Sequence, residues 1–140
     1  MWDVDAATVG RETDGLGFAD VERGQDGEIW YVLARLRVAG LDASLRVSAH
    51  YATGFDELTG FFGGLASDWR GWQGERAYES LERDLRLTAT HDGHVRLAVQ
   101  LHQSNVSDGW SAAAVIRLDP GEEMTRAAED VTALLSPSAS

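Results

Sequence analysis

The stretch LRLTATHDGHVRLAVQL, Leu85–Leu101, decides how this chain folds. Upstream of the turn, Leu81, Leu85, Leu87 and Ala89 alternate with Glu82, Asp84, Arg86 and Thr88. Downstream, Val95, Leu97, Val99 and Leu101 alternate with His94, Arg96 and Gln100. Each half therefore reads as a strand with one apolar face. The turn tests the pairing. A two-residue Asp92-Gly93 loop sets Leu87 beside Ala98 and throws the apolar faces out of phase. A three-residue loop, His91-Asp92-Gly93 with a left-handed glycine, pairs Leu87 with Leu97 and Leu85 with Val99. The spacing predicts the three-residue loop. On the polar face it sets Thr88 opposite Arg96, Asp84 opposite Gln100 and Glu82 opposite His102.

The same period extends outward. Trp30, Val32, Ala34, Leu36 and Val38 share one face of a strand, and Leu41, Ala43, Leu45, Val47 and Ala49 one face of the next. A turn at Ala39-Gly40 brings Val38 to Leu41, Leu36 to Ala43 and Val32 to Val47, with Arg37 opposite Asp42 on the other side. Trp110, Ala112, Ala114, Ile116 and Leu118 form a further strand, and Leu16 and Phe18 a short one before the Gly24–Gly27 turn.

Helical spacing appears twice. Phe55, Leu58, Phe62, Leu65 and Trp69 make one stripe, with Thr53 and Asp56 placed as a capping box. Gly60, Gly63 and Gly64 inside it each cost about 1 kcal/mol relative to Ala, which close approach to a sheet would explain, or else a ligand or partner pressed against the helix. At the C-terminus, Asp119 as N-cap, Pro120 at the first position and Glu122 three residues after the cap open a helix. Met124, Ala127, Ala128, Val131, Leu134 and Leu135 are its buried face, and Ser136-Pro137 its end. The fold class expected is α+β: an antiparallel meander of about six strands with two helices packed on one face. Residues 1–14 read as a flexible acidic N-terminus, 15–135 as a single domain and 136–140 as a disordered tail.

Composition excludes several chemistries. Among 140 residues there is no Cys, which removes disulfides, thiolate metal sites and a cysteine nucleophile. All 12 cations are Arg, so a P-loop or Schiff-base lysine is absent. The net charge of −11 argues against nucleic acid. Acids concentrate in residues 1–28 and 119–140, which either keeps the chain dispersed in solution or forms an acidic rim that would steer a basic partner. No apolar run is long enough for a membrane span, and a cytoplasmic location is the expectation.

The strongest local signature is Trp69-Arg70-Gly71-Trp72-Gln73-Gly74-Glu75-Arg76-Ala77-Tyr78-Glu79-Ser80-Leu81-Glu82. Its Trp, Tyr and Arg residues are the ingredients of an interface hot spot, and equally of a helix-to-strand corner sealed by Arg stacked on indole. This segment, with Leu85 and Leu87, the strand around Trp110 and the Asp119-Pro120-Gly121-Glu122 helix start, resembles an actinobacterial family of uncharacterised proteins, a domain of unknown function. More loosely it is similar to immunity proteins of the WapI type, which neutralise secreted toxins by binding them. The resemblance spans residues 29–135 and implies a fold and a binding role, with no catalytic residue to carry over.

His91 and His94 flank a hairpin tip, but a stable metal site needs three or four ligands. His50 falls on an outward face and reads as solvated. The face opposite the helices interleaves Arg35, Arg46, His50, Arg86, Arg96, His102 and Arg117 with Ile29, Tyr31, Leu33, Ala98, Ala113 and Val115. Uncovered, it is a contact surface; residues 1–28 or a second copy of the chain would cover it. The leading expectation is a small intracellular protein-binding domain, immunity-like, with neither catalysis nor cofactor. Its partner is a protein, basic by charge complementarity. The candidate partner-binding residues are Trp69, Arg70, Trp72, Arg76 and Tyr78 of the corner and Arg46, Arg86 and Arg96 of the sheet face. The alternative is a small-molecule binder or hydrolase-like enzyme using Glu75, Glu79 or Glu82 near that corner. A homodimer through the sheet face is compatible with either.

Overall fold

A computed structural model of the chain describes residues 6–136. Alternating side chains build two four-stranded antiparallel sheets, each with its strands side by side in chain order. The first holds β1 (Ala6–Arg11), β2 (Asp14–Arg23), β3 (Ile29–Val38) and β4 (Leu41–Ser48). The helix α1 (Asp56–Ser67) leads to the second, which holds β5 (Arg76–Glu79), β6 (Leu85–His91), β7 (Val95–His102) and β8 (Ser111–Leu118). The helix α2 (Glu122–Leu135) then returns to pack on β1, β2 and α1, while α1 also meets β5. One core joins both sheets to both helices. Leu16, Phe18, Leu36, Phe62, Leu87, Leu97, Val131 and Ile116 are among its buried members.

The class is α+β, with eight strands where about six were expected and two sheets in place of one. The extra strands have readable causes. β1 is a six-residue strand inside the stretch expected to be loose, and alternate burial of Ala7 and Val9 against α2 holds it there. Residues 1–5 and 137–140 lie outside the described residues. β5 comes from the corner segment: it pairs with β6 through Ala77–Thr88 and Glu79–Arg86. Leu81, placed by spacing at the start of β6, is instead in the turn between these strands and exposed.

The β6–β7 hairpin has a three-residue loop, moved one residue on to Asp92-Gly93-His94. Its pairs are His91–Val95, Leu87–Val99 and Leu85–Leu101. Thr88 thus faces Ala98 and Thr90 faces Arg96, not the expected Thr88–Arg96 pair, and Gln100 faces Arg86, not Asp84. A partner change of two residues preserves the faces, so Leu85, Leu87, Leu97 and Val99 all stay buried. His91 explains the move: its ring accepts the Gly93 amide and bonds the Trp69 carbonyl oxygen at 2.9 Å, holding it within the strand.

The β3–β4 register has Val38–Leu41, Leu36–Ala43, Val32–Val47 and Arg37–Asp42. Gly40 is left-handed there and Ala39 is not. The end of β3 departs from simple alternation. β2 gains a residue at Asp20–Val21, with Asp20 left-handed, and β3 gains one at Trp30. Both Ile29 and Val32 consequently turn inward, and Trp30, expected in the core, is 55% exposed.

The helices start differently from the expected caps. Thr53 donates to the Glu57 carboxylate, so no capping box with Asp56 forms, and α1 ends before Trp69. α2 begins after Gly121, with the Asp119 amide donating to Glu123 Oε1 at 2.8 Å. The six apolar residues expected on its buried face are all buried. A Cβ at Gly60 or Gly63 would meet nothing within 4 Å, so close approach to a sheet does not explain these glycines.

Candidate functional site

With two sheets, the expected single polar face divides. Tyr31, Leu33, Arg35, Ser44 and Arg46 look outward from the first sheet, and Arg86, Thr88, Arg96, Ala98, Ala113, Val115 and Arg117 from the second. Ile29 has left this face for the core. Residues 6–23 form β1 and β2 within the first sheet, so they do not cover the second sheet's outer face. There the row Ala77–Thr88–Ala98–Val115 lines a shallow trough of 690 Å3.

The expected corner residues act mainly on the protein itself. Arg76 forms an ion pair with Asp68 at 2.6 Å, donates to the Gly64 carbonyl and lies 4.8 Å from the Trp72 ring centre. It thereby closes the C-terminal turn of α1 and clamps Trp72 against His91. Trp72 Nε1 is buried without a partner. Tyr78 packs beside Phe61, and burial, with Asp84 and Glu57 adding to it, pushes its hydroxyl well above the usual phenol range. Trp69 and Arg70 stack on each other at 5.0 Å and remain exposed.

The carboxylates of the enzyme alternative do not converge. Glu79 is tied to Arg86 and Arg83 and borders the outer trough. Glu75 is exposed in the turn before β5, and Glu82 lines a different depression. His94 bonds Arg117 at 2.9 Å, while His50 accepts the Ala52 amide and stacks on Tyr51. Among the described residues no three His, Asp or Glu side chains are grouped to hold a metal.

What the fold does assemble is a strip formed by two adjoining depressions that share Tyr31 and Ser48. The first, of 580 Å3, runs from Glu28 and Trp30 across the His50–Gly54 turn to Asp56. Tyr51 stands in it at 87% exposure. The second, of 520 Å3, lies between the edge of the first sheet and the β7–β8 loop, with Arg46 and Ser44 on one wall and Glu82, Asp84, His102, Asn105 and Trp110 on the other. The bulge at residue 30 is what turns its indole into this strip, and Trp110, expected on an apolar face, is partly exposed here too.

Asp84 is held with unusual definition. The turn after β5 closes through the Ser80 amide to the Leu85 carbonyl and the Arg83 amide to the Ser80 carbonyl, with Arg83 left-handed. Ser80 Oγ accepts the amides of Asp84 and Leu85 and donates to Asp84 Oδ1. Asp84 is 7% exposed. Burial pushes its carboxyl above the usual carboxylate range, and Glu82 acts in the same direction. Arg46 is already paired with Glu22 at 2.7 Å and lies over Tyr31. No described Arg or His reaches ion-pair distance of Glu28, Asp56, Glu82 or Asp84. Glu28 packs over Gly24, and its Oε2 is buried with no donor.

Of the eight candidate residues, only Arg46 lines this strip; Arg86 borders the outer trough of the second sheet. Spacing assigned Trp30 and Trp110 to apolar strand faces and set Asp84 on one strand face with Glu82 as a possible carboxylate pair; Tyr51 carried no signal. A bulge breaks the period at Trp30. The one local signal at Asp84 is a Ser four residues before it, spaced to cap a turn.

No curated protein and no solved structure is similar to this chain at a significant level. A family model does match, over residues 7–138, nearly the whole of both sheets and both helices. The chain is thus a member of the family of unknown function DUF6228.

Proposed function

We propose that this protein is a non-catalytic, immunity-like cytoplasmic module that binds a basic protein through the aromatic and acidic strip. The strip itself carries the reading: Trp30, Tyr51 and Trp110 stand exposed beside four carboxylates that have no counter-cation within the described residues. Exposed Trp and Tyr supply large contact area with few rotors, the usual anchor of binding energy. The net charge of −11 would speed encounter with a cationic surface. His102 Nδ1 and Ser111 Oγ lie 2.8 Å apart, and among the described residues no carboxylate pairs with the His102 imidazole, an arrangement that supports binding over catalysis.

The test is affinity capture from lysate of the source organism by wild type and by a Trp30→Ala/Tyr51→Ala double variant, at low and high salt. The expected result is one basic protein retained at low salt by the wild type and lost with the double variant. Retention that survives both substitutions, or retention of acidic proteins only, overturns the reading.

A second reading concerns the outer face of the second sheet. Val115 is 60% exposed there, and the pairs Glu79–Arg86 and Asp92–Arg96 leave the face near charge balance. Two copies of an acidic chain would meet on such a face with little repulsion. Light scattering of the wild type and of Val115→Arg tests this homodimer, which a monomeric wild type excludes.

A further inference from the structure

We propose that the Asp84 cleft is a socket for the cationic end, guanidinium or ammonium, of a basic side chain carried by the protein partner. The inference rests on the binding reading above and adds the chemistry recognised at its centre.

The argument starts from charge. A carboxylate buried in a folded protein is matched best by a cation, because the charge is expensive to desolvate. No described cation reaches Asp84: Ser80 donates to Oδ1, the Asp84 and Leu85 amides also favour the ionised form, and no described side chain is hydrogen-bonded to Oδ2. Glu82 on the same wall adds a second negative charge, and Arg46 across the cleft is engaged by Glu22. An anionic ligand would therefore face two carboxylates. A neutral one would leave the charge of Asp84 uncompensated. A cation completes it.

The walls fit the same occupant. Trp110 lines the cleft with an exposed indole, which attracts guanidinium and ammonium groups when these are partly desolvated, while the Tyr31 ring already carries Arg46. Ser44, His102 and Asn105 add polar atoms around the rim. At 520 Å3 the cleft holds a whole arginine or lysine side chain, and its position beside Tyr31 and Ser48 places it at one end of the strip. The left-handed Arg83 and the triple use of Ser80 Oγ keep Asp84 in place before any ligand arrives, so little ordering would accompany binding.

The probes are agmatine and the capped tripeptide acetyl-Gly-Arg-Gly-amide, titrated by calorimetry and by amide chemical shifts into the intact chain. Acetyl-Gly-Gln-Gly-amide serves as the uncharged control. Both cationic probes should bind, with shifts confined to residues around Asp84, and the control should not. Asp84→Asn keeps the acceptor for Ser80 and should weaken both probes about tenfold or more, as expected for loss of a hydrogen bond to a charged group. Trp110→Ala, away from the Ser80 turn, should weaken them a few-fold and serves if the Asp84 variant does not fold. No binding by the wild type, equal binding of the control, or affinity unchanged in Asp84→Asn overturns the socket. If the strip variant abolishes partner capture while agmatine fails to bind, the socket is wrong and the binding reading stands. If agmatine binds through Asp84 and no basic protein is captured, the socket stands as a small-cation site and the partner reading falls.

Discussion

Replacing Gly60 and Gly63 by Ala tests the packing of α1 directly, because the sequence and the structure give opposite expectations. Glycine on a helix predicts a neighbour pressed close, in which case a methyl group would collide and destabilise. In the structure both positions lie inside α1 at helical φ, and an added Cβ meets nothing within 4 Å. The remaining effect is backbone entropy, about 0.8–1 kcal/mol in favour of Ala at each site. Each gain is a backbone-entropy effect and the two methyl groups share no packing partner, so the double variant gains about 1.6–2 kcal/mol. With an unfolding entropy of about 2.1 cal/mol/K per residue, this raises the melting temperature by about 6 °C. The assay is thermal unfolding followed at 222 nm, with urea titration to confirm an unchanged slope. A fall in melting temperature, or no change in either single variant, refutes the reasoning and means that something approaches this helix face closely. Gly64→Ala is the internal comparison. Its Cβ would sit 3.7 Å from Arg76 Nη1, an ordinary contact, so a smaller gain is expected.

Three further outcomes are expected. Gly10→Ala forces a methyl to within 2.9 Å of the Asp14 carbonyl and 3.1 Å of Ile116 at a φ of +96°. A loss of about 2–4 kcal/mol, read from urea denaturation, should follow. Arg76→Ala removes the Asp68 pair, the Gly64 carbonyl contact and the cover on Trp72, and should cost about 1–2 kcal/mol while leaving partner capture intact. Unchanged stability with lost capture would instead make the corner the contact surface. Finally, the raised pKa of Asp84 fixes a sign. The unfolded carboxyl ionises first as pH rises, so stability declines above the ordinary carboxylate range until the folded group ionises as well. Asp84→Asn is free of this loss, so its melting temperature relative to wild type should climb as pH rises through and above the ordinary carboxylate range. A pH-independent difference would show that the carboxyl is not perturbed.

The hairpins show how far the period alone reaches. Parity of apolar residues set the β3–β4 register and kept the β6–β7 faces correct, because a buried face tolerates slips only in steps of two. The buried face of α2 was equally legible, since six apolar residues at helical spacing admit one orientation. Capping residues were a weaker guide. Thr53 and Asp119 each sat near a helix start, yet in place of the expected caps the Thr53 hydroxyl donates to Glu57 and the Asp119 amide donates to Glu123.

The residues of the candidate site were hidden for a different reason. Trp30 is inward by alternation and outward in fact, because paired bulges in β2 and β3 reset the phase, and a bulge leaves no period to read. Asp84 was readable only as one strand carboxylate among several, since its burial comes with the Ser80 turn and with the His102 amide on its carbonyl.

Which side chains are apolar partners within each hairpin and helix follows from residue order alone, because those contacts are local and repeat with the pitch of the backbone. Whether the strands form one sheet or two, and which polar groups then lose their water, is set by long-range packing. Both depend on contacts between α2 and β1 and between β4 and β7, separated along the chain by more residues than any periodic pattern spans.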